Sequence, residues 1–215
     1  MQPLVLIGGG QHARVLAEAA ATAGRTVAGF VDPNAGTVLE RIGLRRFGAD
    51  HAMSWVRHAE LLLAFGSLGP GDRRAFVAEQ YEADGWAFGT LVDGRALISP
   101  SATVGAGTVV MAGAIIQAGA VIGRHCIVNS GAIVEHDVRL GDHVQVAPGA
   151  VIGGGATIGD RSFVGLGATL RDHLQLGEGV TVGMGSVVVH DVAAHATVLG
   201  VPARAITHDM PGRAP

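Results

Sequence analysis

Ile98-Ser-Pro-Ser-Ala-Thr103, Val104-Gly-Ala-Gly-Thr-Val109 and Val110-Met-Ala-Gly-Ala-Ile115 open a run that repeats every six residues as far as Val188-Val-His-Asp-Val-Ala193. All sixteen units of the run begin with Ile, Val or Leu, and most carry Ala, Ser, Thr, Cys or Val at the fifth position. Nothing breaks the register over 96 residues. A period of six is neither the 3.6 of a helix nor the 2 of a strand. It predicts a solenoid with three short flat faces per turn, so that eighteen residues complete one coil. The aliphatic at position one points inward and the small residue at position five fills the space that remains. Gly, Asn and Asp at the corners tolerate backbone angles that branched residues do not. Sixteen such units make about five and a third coils.

Composition agrees with thin, regular packing. Of 215 residues, 34 are Gly and 8 are Pro; 48% are hydrophobic, yet only 4% are aromatic. Such a core is built from small aliphatics. Glycine is not placed at every third residue, which excludes a collagen helix. The net charge is −3, and the 15 basic residues are all scattered arginines apart from the pairs Arg45-Arg46 and Arg73-Arg74. No basic stripe exists to follow a phosphate backbone, so nucleic acid is not an expected partner. A single cysteine, Cys126, excludes an intrachain disulfide and a cysteine-rich zinc site. The opening apolar run Leu4-Val-Leu-Ile7 is too short for a signal peptide or a membrane span, and a cytoplasmic protein is expected.

Residues 1–93 follow a different pattern and are expected to form a separate Rossmann-like α/β domain, with the β-helix domain and its tail at 94–215. The predicted order is a strand at PLVLI running into Gly8-Gly9-Gly10, then a helix at QHARVLAEAAATAG with Val15, Leu16 and Ala19 on one side, ended by Gly24. A strand ending at Asp32, a strand at ELLLAFG, a helix at GDRRAFVAEQYEADG and a late strand at AFGTLVD follow. Alternating strands and helices predict a parallel sheet, with ligands beyond the carboxyl ends of its strands. Gly8-x-Gly10-x-x-Ala13 followed by Asp32 mimics a dinucleotide fingerprint. Its glycines let an anion approach the backbone at a helix start. The motif by itself fits a dinucleotide, a nucleotide-sugar or a bare tight turn.

The ten histidines divide by position. His12 lies in the glycine turn. His51, His58, His195 and His208 lie outside the repeat and are expected at the surface. His125, His136, His143, His173 and His190 fall on corners of the repeat, where side chains are expected to face solvent or another subunit. His136 stands between two carboxylates in Val134-Glu135-His136-Asp137. A carboxylate bonded to one ring nitrogen raises the imidazole pKa and leaves the other nitrogen free to accept a proton, which suits a general base. An ordinary exposed corner is the plain alternative, and His143 is the competing base. His125 and His143 are eighteen apart and would stack on successive coils. Such a pair resembles the zinc-binding histidines of some trimeric proteins with this kind of repeat, in which a third histidine follows the second after a few residues; none occurs between 144 and 150, so no metal is expected.

The repeat resembles that of left-handed parallel β-helix proteins, most of which are acyltransferases. About 200 residues resemble the sugar O- and N-acetyltransferases of the sialic acid O-acetyltransferase family, and look nearest to the enzymes that acetylate nucleotide-linked 4-amino sugars. Three stretches carry this resemblance: Leu4-Val-Leu-Ile-Gly-Gly-Gly-Gln-His12; Ile133-Val-Glu-His-Asp137 followed by Leu140-Gly-Asp-His143; and Gly200-Val-Pro-Ala-Arg204. The resemblance implies that His136 is the catalytic base, with Asp137 raising its basicity and Glu135 beside it. It implies a homotrimer with acetyl-coenzyme A in the groove between two subunits, against Gln145, Leu166 and Met184. Leu166 and Met184 are eighteen apart, and Pro148 continues their column one coil earlier. It also implies that Gly10, Gln11, His12, Asp32, Pro33, Gly66 and Ser67 hold a nucleotide-linked amino sugar. Relatives usually have glycine in place of Gln11 and often histidine in place of Gln145. The expected activity is acetyl transfer from acetyl-coenzyme A to the amine of that sugar. Sugar O-acetylation and a non-catalytic trimeric binding protein are the alternatives.

Overall fold

The computed structural model describes residues 2–48, 58–66 and 72–206. Ser67, His51 and His208 lie outside the described residues. The first unit is a three-stranded parallel sheet in the order β2-β1-β3, made of β1 (Leu4–Ile7), β2 (Val27–Val31) and β3 (Glu60–Leu63). Side chains alternate across it with the period of two that strands impose. Leu4, Leu6 and Leu62 pack on the side of α1 (Gln11–Thr22), whereas Val5, Leu61 and Leu63 pack on the side of α3 (Asp72–Ala83). A short helix, α2 (Val38–Arg41), follows β2. It opens with a reciprocal capping box: Thr37 accepts from the Glu40 amide while Glu40 accepts from the Thr37 amide.

Gly24 ends α1. Its φ is +65°, its amide donates to the Ala21 carbonyl, and the Arg25 amide donates to Ala20 at 2.8 Å. These two bonds satisfy carbonyls that the last turn leaves open. The buried stripe of α1 is Ala13, Leu16, Ala19 and Ala20. Val15, expected beside Leu16, is instead 46% exposed: one position before Leu16 is about 100° around the helix and off the stripe.

From Leu91 the chain is a left-handed parallel β-helix of about six turns. Each two-residue strand pairs in parallel with the strand eighteen residues on, as in Ile127↔Gln145 and Val134↔Ile152. The position-one aliphatics and the position-five residues Ala114, Ala120, Cys126, Ala132, Val138 and Val144 meet in one continuous core. In fourteen of the sixteen units, position four has a positive φ, held by Gly or by His125, Asp137, His143, Arg161 and His173. The coil count exceeds the one expected from the repeat at both ends. Val92-Asp-Gly-Arg-Ala-Leu97 supplies one more unit, and after Val188 the last turn shortens to sixteen residues, so that Thr181 pairs with Thr197. The late strand expected at AFGTLVD is split: Phe88 bridges Leu61 of the α/β sheet, while Leu91–Val92 is the first rung of the solenoid.

The three faces of the solenoid differ at position six. One face (Leu91, Val109, Ile127, Gln145, Phe163) is buried, its first rungs beneath α1 in a shared core with Leu16, Ala20 and Leu62. A second face presents Leu97, Ile115, Ile133, Val151, Thr169 and Val187, partly or fully exposed. The third presents Thr103, Val121, Arg139, Thr157 and Gln175, all exposed. These are called below the covered, apolar and polar faces.

Candidate active site

A cleft of about 620 Å³ opens beyond the carboxyl ends of β1, β2 and β3. Six of the seven residues expected to hold the sugar line it: Gly10, Gln11, His12, Asp32, Pro33 and Gly66. The three glycines of the turn serve different ends. Gly8 has φ +109°, and a Cβ on Gly9 would stand 2.5 Å from the Phe30 ring. Around Gly10 the same test meets nothing within 4 Å, so the backbone there is open to the cleft. Gly10 caps α1, whose first turn holds no acidic residue. The free amides and positive end of this helix suit a phosphate. Asp32 is held by the backbone: Oδ2 accepts from the Gly9 amide at 2.8 Å and Oδ1 from the Asn34 amide at 2.9 Å. In this state it shapes the turn. Phe65, Arg73 and Tyr81 complete the opposite wall. Sequence reading missed these three, whose only signal was membership of the segments flanking β3.

A second, smaller groove of about 360 Å³ runs along the covered face and its next corner, lined by Ile127, Asn129, Gln145, Pro148, Phe163 and Leu166 among others. His12 and Gly66 line both spaces, so the cleft and the groove meet. A Cβ on Gly66 would lie 3.6 Å from Gln145 Oε1, which places the end of β3 against the solenoid. Gln145 and Leu166 thus lie together. Met184 lies one coil on from Leu166, 73% exposed and outside the groove. Burial, reinforced by the Arg74 guanidinium, pushes His12 down to about 4, and its Nε2 is buried without a partner among the described residues. His12 is therefore a neutral imidazole at neutral pH.

Glu135, His136 and Asp137 lie elsewhere, at the corner between the apolar and polar faces. His136 Nδ1 and Asp137 Oδ2 are 3.0 Å apart, and the two side chains are 60% and 72% exposed. The bond to Asp137 raises the His136 pKa, and the charges of Asp137 and Glu135 add to it. Asp137 adopts φ +60°, which short polar side chains tolerate, and that turn brings its carboxylate back onto its neighbour's ring. The ring lies along the corner over Gly154 of the next coil, where a Cβ would stand 2.5 Å from His136 Nε2. Within one chain these three residues border neither cleft nor groove.

His125 corrects the expectation of an exposed corner. It is 2% exposed, edge-on to Phe88 at 4.6 Å and stacked on His143 at 4.9 Å, with Nε2 3.0 Å from Glu82 of α3. The cause is the α/β unit, which covers this corner; the hexad pattern cannot see it. The stacking of His125 on His143 follows the eighteen-residue spacing. Burial pushes His143 down to about 4, a poor base near neutrality. Among the described residues, no three His, Cys, Asp or Glu side chains group to hold a metal ion.

A family described as "Bacterial transferase hexapeptide (six repeats)" matches residues 137–172. No curated protein sequence matches the chain. Solved structures do. The chain is 33% identical to GDP-perosamine N-acetyltransferase from Caulobacter crescentus, solved with coenzyme A and GDP-perosamine, over 96% of this chain and 98% of that one, with a TM-score of 0.87. It is 35% identical to the acetyltransferase domain of PglB from Neisseria gonorrhoeae, solved with acetyl-coenzyme A, over 95% and 99%, again with a TM-score of 0.87. WeeI from Acinetobacter baumannii, 24% identical over 96% and 100% with a TM-score of 0.70, shares the fold. Identity of this level across almost the whole of both chains, with the same two-unit fold, makes this protein a member of the hexapeptide-repeat sugar acetyltransferase family.

Proposed function

We propose that the protein transfers the acetyl group of acetyl-coenzyme A to the amine of a nucleotide-linked amino sugar. One observation carries this reading: a cleft with a helix start and an open Gly10 joins, at His12 and Gly66, a groove along the solenoid. Two anionic molecules can lie there end to end. The nucleotide-sugar occupies the cleft, beside Gly10, Gln11, His12, Asp32, Pro33 and Gly66, with Ser67 assigned by resemblance alone. The coenzyme lies along Gln145 and Leu166 towards Met184. The structures with GDP-perosamine and with acetyl-coenzyme A support both halves for their own proteins.

His136 is the proposed base, and a trimer brings it into place. The apolar face is the one solenoid face left both uncovered and largely aliphatic. One of its edges carries Pro148, Leu166 and Met184, and the other carries His136. In a cyclic head-to-tail trimer, opposite edges of neighbouring subunits meet. His136 of one chain then faces the groove of the next. The amine nitrogen attacks the thioester carbonyl, the C–S bond breaks, His136 takes the amine proton, and the thiolate leaves. Asp137 stabilises the resulting imidazolium, with Glu135 adding its charge. Acetyl-coenzyme A and nucleotide-sugars are cytoplasmic metabolites, which makes the cytoplasm the proposed location; among the described residues no helix is long and apolar enough to cross a membrane.

The test is thiol release from acetyl-coenzyme A, screened across nucleotide-linked 4-amino sugars including GDP-perosamine, with sialic acid as the hydroxyl control. Release with an amino sugar alone is expected. Release with none of the amino sugars, from a folded trimer, refutes the proposal.

A further inference from the structure

Among the described residues, the deepest charge lies behind the meeting point of cleft and groove. Arg74, in the first turn of α3, is 0% exposed. Among the described residues no carboxylate pairs with it. Nη1 donates to the carbonyls of Leu63 (3.4 Å) and Phe65, and Nη2 donates to the carbonyl of His125 (3.2 Å). The guanidinium lies 5.8 Å from the centre of the Phe65 ring, and Nε has no partner among the described residues. A buried cation without a counter-ion is unfavourable, and a hydrophobic residue of similar volume would pack as well. What an apolar residue would lose is the bridge. Leu63 ends β3 and Phe65 follows it just before Gly66, and His125 comes two residues before Ile127. Gly66 and Ile127 both line the groove, and Gly66 also lines the cleft.

We propose that Arg74 is a positioning residue for acetyl transfer: its planar fork clamps the carboxyl end of β3 to the solenoid coil at His125, and so fixes the separation between the molecule in the cleft and the molecule in the groove. The identity of those two molecules rests on the function proposed above; the clamp does not. Lysine would keep the charge but not the fork, because an ammonium is a compact point donor. The titratable groups facing the guanidinium are His12 from α1 and His125, Cys126 and His143 from the solenoid, with Glu82 and Arg124 flanking His125. Burial and this charge together keep the His12 ring neutral, so it can both donate and accept a hydrogen bond at the junction.

The experiment uses Arg74→Lys and Arg74→Met in the full chain. Hydrogen exchange of the unliganded proteins is followed at residues 64–66 and 126–129, with Thr181–Leu199 as the distant reference. Local opening should speed exchange in the first two segments by about tenfold or more and leave the reference unchanged. Unchanged exchange at both segments in a folded variant overturns the clamp. Should Arg74→Met fail to fold, Arg74→Lys decides. In the unaltered chain, the His12 ring should remain neutral down to about pH 5, followed by its carbon resonance; a midpoint near 6.5 overturns the burial of that ring at the junction. With acetyl-coenzyme A and GDP-perosamine, Arg74→Lys should lower kcat by about tenfold or more with both KM values within about threefold. A loss carried by the KM values refutes the positioning role. If the unaltered chain acetylates no GDP-perosamine, the acceptor assignment fails, and the exchange results still decide the clamp.

Discussion

Replacing Gly154 by alanine tests the proposed base without touching it. A Cβ at this position would lie 2.5 Å from His136 Nε2 and 2.7 Å from Cε1, and no backbone atom stands closer. The obstacle is the tip of an exposed side chain, so the ring yields rather than the coil. Restoring an ordinary contact of about 3.4 Å moves the ring by about 1 Å, which at a reacting centre costs on the order of 100-fold in rate. Stability should change little, because Gly154 has no positive φ among the glycines that do. The control is Gly153→Ala, whose Cβ would meet the backbone nitrogen of Asp172 at 2.5 Å. That obstacle cannot swing away, so Gly153→Ala should lower the melting temperature. Thiol release should show kcat for Gly154→Ala down by about 100-fold, with KM for acetyl-coenzyme A and assembly size unchanged. Wild-type turnover in a folded Gly154→Ala protein would mean that the His136 ring, where the structure puts it, has no part in the reaction.

Other outcomes follow from the same geometry. His136→Ala should lower turnover by roughly two to four orders of magnitude while sedimentation shows an unchanged assembly; an unaffected rate removes His136 from the mechanism. His136 must be neutral to act, and its bond to Asp137 raises its pKa, so kcat/KM should rise with pH through an inflection above the ordinary imidazole value. Asp137→Asn, which keeps a side chain suited to φ +60°, should move that inflection down; an unmoved inflection contradicts the pairing. His12, His125 and His143 have folded pKa values below the unfolded imidazole value. Their contribution to stability is therefore complete above about pH 6.5 and is lost as pH falls below it, towards about 4 for His12 and His143, since the unfolded chain takes up protons first. Each of these histidines contributes a slope of at most about 1.4 kcal/mol per pH unit, and the partly exposed His12 and His143 contribute less. Urea unfolding at fixed chain concentration should show lower stability at pH 5 than at pH 7, and equal stability would refute it. Leu174, 0% exposed at a position-five site, should cost about 2–5 kcal/mol as alanine in the same assay.

The solenoid was legible because its signal is repeated. Sixteen aliphatics in register state the core directly, and the same register places His136 and His143 on corners. Position six carries the distinction among the three faces, which becomes readable once the coil is folded in space. Burial of His125 and Arg74 was not legible, because each is covered by a unit distant in sequence: Glu82 and Phe88 over the first, the solenoid corner at His125 over the second. The capping box of α2 was present in plain form as Thr37-Val-Leu-Glu40 and was passed over. The six described cleft residues were found through the resemblance and the strand-end rule. Arg73 and Tyr81 escaped because nothing about an exposed arginine or a lone tyrosine on a helix announces a binding wall.

The eighteen-residue pairing has an architectural consequence. Neighbouring rungs stand about 4.8 Å apart, so separations along the solenoid come in whole steps. A coil inserted beyond Leu199 would lengthen the rod and leave the junction at Gly66 as it is. A coil inserted between Ile127 and Gln145 would carry the coenzyme groove a full step away from the sugar cleft, a gap that no side-chain adjustment could close. Divergence within such a scaffold is therefore free at the far end and locked to zero insertions at the near one.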